Sequence, residues 1–184
     1  MNSKHILQHI DEIIFPGYKE NIVGNTFTLK EKNKGAKCNK GIIQKSEQAL
    51  VYKFDEPVKK IDDIFPFLNN VEGVKAMCDY VIFYFKENEL FVFLCNLKSG
   101  NKHNCTDQWE AGKIFCEFIL KTLLRTSKIS TKIKYRRILF SSTALYKTAG
   151  KPPKTSESES EKKVKNYISN ESRTGFCDLD AICH

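Results

Sequence analysis

Three polar side chains sit at the ends of two apolar runs in "CDYVIFYFKENELFVFLCNLKSGN", residues 78–101. Asp79 opens the first run, and Asn96 and Lys98 close the second. Residues two apart in a strand point to the same side, so Asn96 and Lys98 share a face. A carboxylate, an amide and an ammonium at one end of paired strands could hold a divalent cation at Asp79 and turn a positive group toward a phosphate. A lysine that ends a nearly uninterrupted apolar strand must find a polar partner or reach water, which argues for a polar site at that point.

The surrounding elements can be read from periodicity. Residues 79–85 and 90–97 are rich in β-branched and aromatic residues and are joined by Lys86-Glu87-Asn88-Glu89, the pattern of a hairpin. Both strands are apolar on both faces, so the pair belongs in the middle of a sheet covered on both sides. Upstream, Ile6, Leu7, Ile10, Ile13 and Ile14 have helical spacing, and Pro16-Gly17 is the stop. Residues 25–41 give a short alternating strand and then a lysine- and glycine-rich loop. "QALVYKF", residues 48–54, is another strand, and residues 58–74 have the spacing of a short helix or connector. After the polar loop "SGNKHNC", Asp107 with Glu110 three residues on resembles a capping box. The helix it opens is apolar through Gly112, Phe115, Ile119 and Leu123. Phe118, Leu120 and Leu124 widen that stripe, so the helix is expected to be well buried. Residues 132–142 form a further strand, basic at its start. Residues 150–163, "GKPPKTSESESEKK", have linker composition. The organisation expected is one domain over 1–149, a flexible linker over 150–165 and a docking tail over 166–184.

Strand, strand ending in x-x-K, long helix, strand, with a helix and a strand ahead of them, resembles the PD-(D/E)xK, or restriction-endonuclease-like, nuclease superfamily over roughly residues 45–142. The resemblance implies an α/β (α+β) fold with a mixed central sheet flanked by helices. It also implies a site in which two acids hold Mg²⁺ or Mn²⁺ and a lysine orients water or stabilises the phosphorane. Carried over, Asp79 matches the first acid and metal ligand, and Lys98 matches the lysine. Asn96 stands where the family has Asp or Glu. An amide oxygen brings no charge, so beside Lys98 a site with Asp79 alone is close to neutral and its cation affinity falls. Glu47, Glu110 and Asp107 are acids that could compensate, and Gln108 matches a glutamine that some relatives carry on the following helix.

Composition bounds the partners. The chain has 184 residues and a formal net charge of +8, compatible with nucleic acid or another polyanion. Lys128, Lys132, Lys134, Arg136, Arg137, Lys147, Lys151 and Lys154 are clustered. Of these, Lys132, Lys134, Arg136 and Arg137 lie on the last core strand, which borders the nucleic-acid cleft by resemblance. A solvated basic face is the other reading. Seven cysteines in no regular framework, three of them inside apolar runs, suggest a reducing cytoplasm. The amphipathic N-terminus lacks a secretory signal, and no run approaches a membrane span. Cys177, Asp178, Asp180, Cys183 and His184 lie close in sequence, yet their spacing fits no closed zinc site. Phe176, Leu179 and Ile182, at roughly helical spacing, are expected to dock the tail on the core or on a partner. His103 with Cys105 is a weaker pairing, and Trp109 is expected to pack rather than to stack on a base.

Two functions compete. One is a non-catalytic or weakly active nucleic-acid-binding or accessory subunit on a nuclease fold. The other is an active metal-dependent DNA or RNA nuclease with an altered site. A protein–protein or immunity module is a third. By resemblance, small lysine- and isoleucine-rich proteins with this core belong to phage-defence or mobile-element systems.

Overall fold

A computed structural model describes residues 3–31, 40–54, 74–98, 105–127, 131–141, 164–168 and 174–183. Helix α1 (Ser3–Ile13) is followed by strands β1 (Thr26–Lys30), β2 (Lys40–Gln44), β3 (Ala49–Tyr52), β4 (Tyr80–Lys86) and β5 (Glu89–Lys98). Helix α2 (Cys105–Ser127) then leads to β6 (Lys132–Ser141), β7 (Val164–Ile168) and β8 (Thr174–Asp178). The fold is α+β, as expected. The expected linker over 150–165 lies outside the described residues up to 163, and its last two positions already belong to β7. The connector expected at 58–74 also lies almost wholly outside them.

One sheet has the order β3-β4-β5-β6-β7. Its first three strands are antiparallel neighbours, and β6 and β7 continue it in parallel. The β4–β5 turn is tight because Glu87 and Asn88 both adopt positive φ, 51° and 61°. Two successive residues of this kind give the turn whose twist matches a two-residue hairpin. Since β5 is the central strand, it is buried on both faces from Leu90 to Leu97, in line with its uninterrupted apolar sequence.

The two faces of this sheet are covered differently. Val81, Phe83, Val92 and Leu94 face α1 and α2, meeting Ile10, Trp109, Cys116 and Leu120. Tyr80, Ile82, Phe93 and Phe140 face a second sheet of order β1-β2-β8 and meet Leu29, Ile43, Cys177 and Leu179. Both described helices therefore flank one face, and a three-stranded sheet takes the place of a helix on the other. Glycines set both spacings. A Cβ at Gly41 of β2 would lie 2.7 Å from the Phe140 ring, and one at Gly112 of α2 would lie 2.6 Å from Cys78 Sγ. Side chains at either position would hold the layers apart.

The C-terminal segment docks on its own core, and it does so as a strand. β8 pairs in parallel with β2, and Leu179 and Ile182 are buried, while Phe176 is 53 % exposed. Phe118 of α2 is likewise 68 % exposed and Ile114 lies beside it in solvent, so the buried stripe of that helix is narrower than its sequence implies. Six cysteines are described, and all are buried.

Candidate functional site

Antiparallel pairing of Tyr80 with Cys95 sets Asp79 opposite Asn96, at the end of the sheet where β5 finishes. Lys98 lies two residues beyond Asn96, so those two share the α2 face, while Asp79 sits in the bend just ahead of β4, next to Cys78, which meets α2 at Gly112. Asn96 is fully buried, Asp79 is buried and Lys98 is half-buried. Asn96 Oδ1 accepts the Asp79 backbone N–H at 3.2 Å, and Asp79 Oδ2 accepts the Leu97 N–H at 2.6 Å. The expected trio is thus brought together, but Asp79 and Asn96 are engaged with each other's strands. Burial pushes the Asp79 carboxyl above its ordinary range, while the Leu97 N–H and the Lys98 charge pull it back.

Gln108 lies in the first turn of α2, which starts at the end of the sheet where β5 finishes. Gly112, one turn further along α2, lies against Cys78 and Leu94. Helix α2 joins the parallel strands β5 and β6 and so runs back antiparallel to β5. One turn toward the helix start then corresponds to about two residues toward the strand end, from Leu94 to Asn96. Gln108 Oε1 and Asn96 Nδ2 are both buried without a hydrogen-bond partner among the described residues.

The other acids lie elsewhere. Glu47 is exposed beside β3, with its backbone N–H donating to Tyr84 Oη at 3.2 Å. Since Ala49 pairs with Tyr84, that is the end of β4 away from Asp79. Glu110 forms an ion pair with Arg137, whose guanidinium lies 5.8 Å over the Trp109 ring. Asp107 is exposed in the first turn of α2. Two charged residues absent from the sequence-based set act on Asp79 through their charges without bonding to it: Glu31, just after β1, pushes its pKa up, and Lys53, just after β3, pulls it down. Lys53 could have been found, because an ammonium closing an apolar strand is the criterion that singles out Lys98. Nothing in the sequence near Glu31 distinguishes it from its neighbours.

The basic residues of β6 do not form one surface. Lys132, Lys134 and Arg136 alternate onto the face of the second sheet and Arg137 onto the helix face. Lys132 and Lys134 both pair with Glu89. Register places Lys132 opposite Glu89 and Ser141 opposite Lys98, so Lys132 is roughly 30 Å from the Lys98 end. Arg136 is buried, and its Nε donates to the Ile182 carbonyl at 3.1 Å. It holds the C-terminal segment. In that segment Asp180 accepts hydrogen bonds from Tyr84, Ser46 and Lys86, and it is not grouped with the neighbouring thiols as a metal ligand. Among the described residues no three carboxylate, thiolate or imidazole groups converge on one point; His103 and His184 lie outside them.

The donor set at Asp79 does not fit a resident Mg²⁺ or Mn²⁺. Its one carboxylate accepts a backbone N–H, the amide oxygen of Asn96 is taken by another, and the remaining amide atom is a donor. Such cations need several oxygen ligands carrying negative charge. No described helix is long and apolar enough to cross a membrane. None of the protein-family models, curated proteins or solved structures compared with the chain matches it.

Proposed function

We propose that this chain is a nucleic-acid-binding accessory protein built on a nuclease-like core that does not use a catalytic metal. The order of β3, β4, β5, α2 and β6, with Asp79 opening β4 and Lys98 closing β5, supports the resemblance to the PD-(D/E)xK superfamily. The observation that carries the non-catalytic reading is the Asn96 Oδ1 bond to the Asp79 N–H, because the two positions that would hold a cation are spent on each other's strands. The net charge of +8 supports a polyanionic partner.

The test is direct. Labelled single-stranded and duplex oligonucleotides of DNA and RNA are titrated with the protein in EDTA at several salt concentrations, and cleavage is followed separately in Mg²⁺ and in Mn²⁺. Binding that weakens linearly in log–log plots against salt, without cleavage, is the expected result. Robust metal-dependent cleavage lost in Asp79→Ala would overturn it in favour of an active nuclease.

A further inference from the structure

We propose that the outer face of the small sheet, β1-β2-β8, is a platform for single-stranded nucleic acid. Phe176 stacks on one base there, and Lys30 and Lys40 hold the phosphates beside it. The proposal rests on the nucleic-acid-binding reading above and names the surface and the form of the strand.

Strand alternation defines the face. Phe27, Leu29, Ile43 and Cys177 turn inward to the large sheet, so Thr28, Ile42 and Phe176 turn outward. Register sets these three in one row across the sheet, since Ile42 pairs with both Thr28 and Phe176. The row faces solvent: Thr28 is exposed, Ile42 half-buried and Phe176 53 % exposed. The next row is charged, because Lys30 pairs directly with Lys40 on the same face and both are exposed. Neither ammonium is engaged in an ion pair among the described residues. Like charges set opposite each other repel, and an anion held between them relieves that repulsion. The chain that joins β1 to β2 adds Lys32, Lys34 and Lys37 and, after Glu31, no acid. Asp178 stands at the other end of the face, opposite Gln44, with its Oδ1 taken by the Asp180 backbone N–H at 2.9 Å.

Size selects the occupant. Three strands of five residues span roughly 14 by 17 Å, about 240 Å². A stable protein complex needs about 800 Å² from each partner, so this face is too small to hold one by itself. It has room for about two or three nucleotides, the number that aromatic residues on a sheet stack. Phe176 lies roughly 8 Å from Lys40, one strand spacing across and two residues along, within reach of a base and its neighbouring phosphate. A duplex hides its base faces by stacking, so only an unpaired strand can use the ring. Neither stacking nor phosphate contact reads the 2′-hydroxyl, so DNA and RNA strands are equivalent here.

The experiment titrates a labelled oligothymidine strand, an oligouridine strand and a DNA duplex with the full chain at low salt in EDTA. The variants are Phe176→Ala, Phe176→Trp, the double substitution Lys30→Gln with Lys40→Gln, and Phe118→Ala as a similarly exposed aromatic control on α2. Phe176→Ala should weaken binding of both single strands about tenfold, the loss of one base stack, and Phe176→Trp should retain it. That loss should be confined to the single strands. The double lysine variant should make the log–log salt slope shallower by about 1.4, two phosphate contacts at about 0.7 each. Phe118→Ala should bind as the wild type does. If folded Phe176→Ala also binds the single strands unchanged, the platform is wrong although nucleic-acid binding stands. An equal loss on the duplex would overturn it too. A wild-type dimer in sedimentation that Phe176→Ala converts to monomer would assign the face to a second copy instead. A wild type that binds no oligonucleotide removes the functional reading itself.

Discussion

The Tyr84 hydroxyl donates to the Asp180 carboxylate at 2.6 Å, tying the hairpin end of β4 to the C-terminal segment. Ser46 and Lys86 donate to the same carboxylate at 2.9 and 2.8 Å. Burial alone would raise the Asp180 pKa, but these bonds outweigh it and hold it at about 2. A depressed carboxyl pKa stabilises the fold above the unfolded value, near 3.8, and that contribution is lost as pH falls toward about 2. Urea titrations should therefore show stability declining from about pH 4 downward. Asp180→Asn should lower stability at pH 7 by about 1–3 kcal/mol and flatten this acid limb. An unchanged limb would place the acid-labile contact elsewhere.

Gly112 lets α2 lie against the sheet, and alanine there should destabilise although alanine favours helix by about 1 kcal/mol. The added Cβ would sit 2.6 Å from the fully buried Cys78 Sγ and 3.5 Å from Leu94 Cδ2. Overpacking of this kind costs about 1–3 kcal/mol. Removing the sulfur in Cys78→Ala should rescue much of the loss, so a double-mutant cycle over the two positions should show strong coupling. Additive effects would mean that the helix shifts freely.

Arg136 and Lys132 separate a structural from a superficial role for the basic residues of β6. The Arg136 guanidinium is buried, bonds to the Ile182 carbonyl and lies 5.7 Å over the Phe91 ring. Arg136→Ala should cost about 2–3 kcal/mol and expose the C-terminal segment to proteases. Lys132→Ala, whose side chain is 68 % exposed, should stay within about 0.5 kcal/mol. Comparable losses in both variants would contradict this division.

The site trio was legible because alternation and a short hairpin fix register locally: once residues 87 and 88 turn, Asp79 must lie opposite Asn96. The burial of β4 and β5 followed from their sequence for the same reason. What escaped depends on distant pairing. β2 is five residues with only Ile42 and Ile43 apolar, too short for a periodic signal, and it exists because β1 and β8 flank it. Phe176, Leu179 and Ile182 have helical spacing, yet Phe176 belongs to a strand that pairs with β2, since a ready-made sheet edge satisfies its backbone. The clustered charges of β6 read as a surface because sequence shows a charge but not its partner, and Glu89, Glu110 and Ile182 are remote in the chain.

Asn96→Asp tests the site without nucleic acid. The substitution sets a second carboxylate beside Asp79, whose pKa burial has already raised, and it replaces the unpaired amide hydrogen-bond donor with an oxygen. Two buried carboxylates raise each other's pKa. A raised carboxyl pKa means that the folded state favours the proton, so the variant should lose stability as pH rises through those values and regain it toward pH 4. At pH 7 in EDTA the deficit relative to the wild type should be about 3 kcal/mol, the cost of an uncompensated buried charge. Millimolar Mn²⁺ should recover much of it, because a cation that binds only the folded form stabilises that form. The wild type, with one engaged carboxylate, should show no comparable shift in thermal denaturation. Equal stabilisation of both proteins by Mn²⁺ would mean that the native site already holds a cation, and the accessory role without a catalytic metal would have to be abandoned.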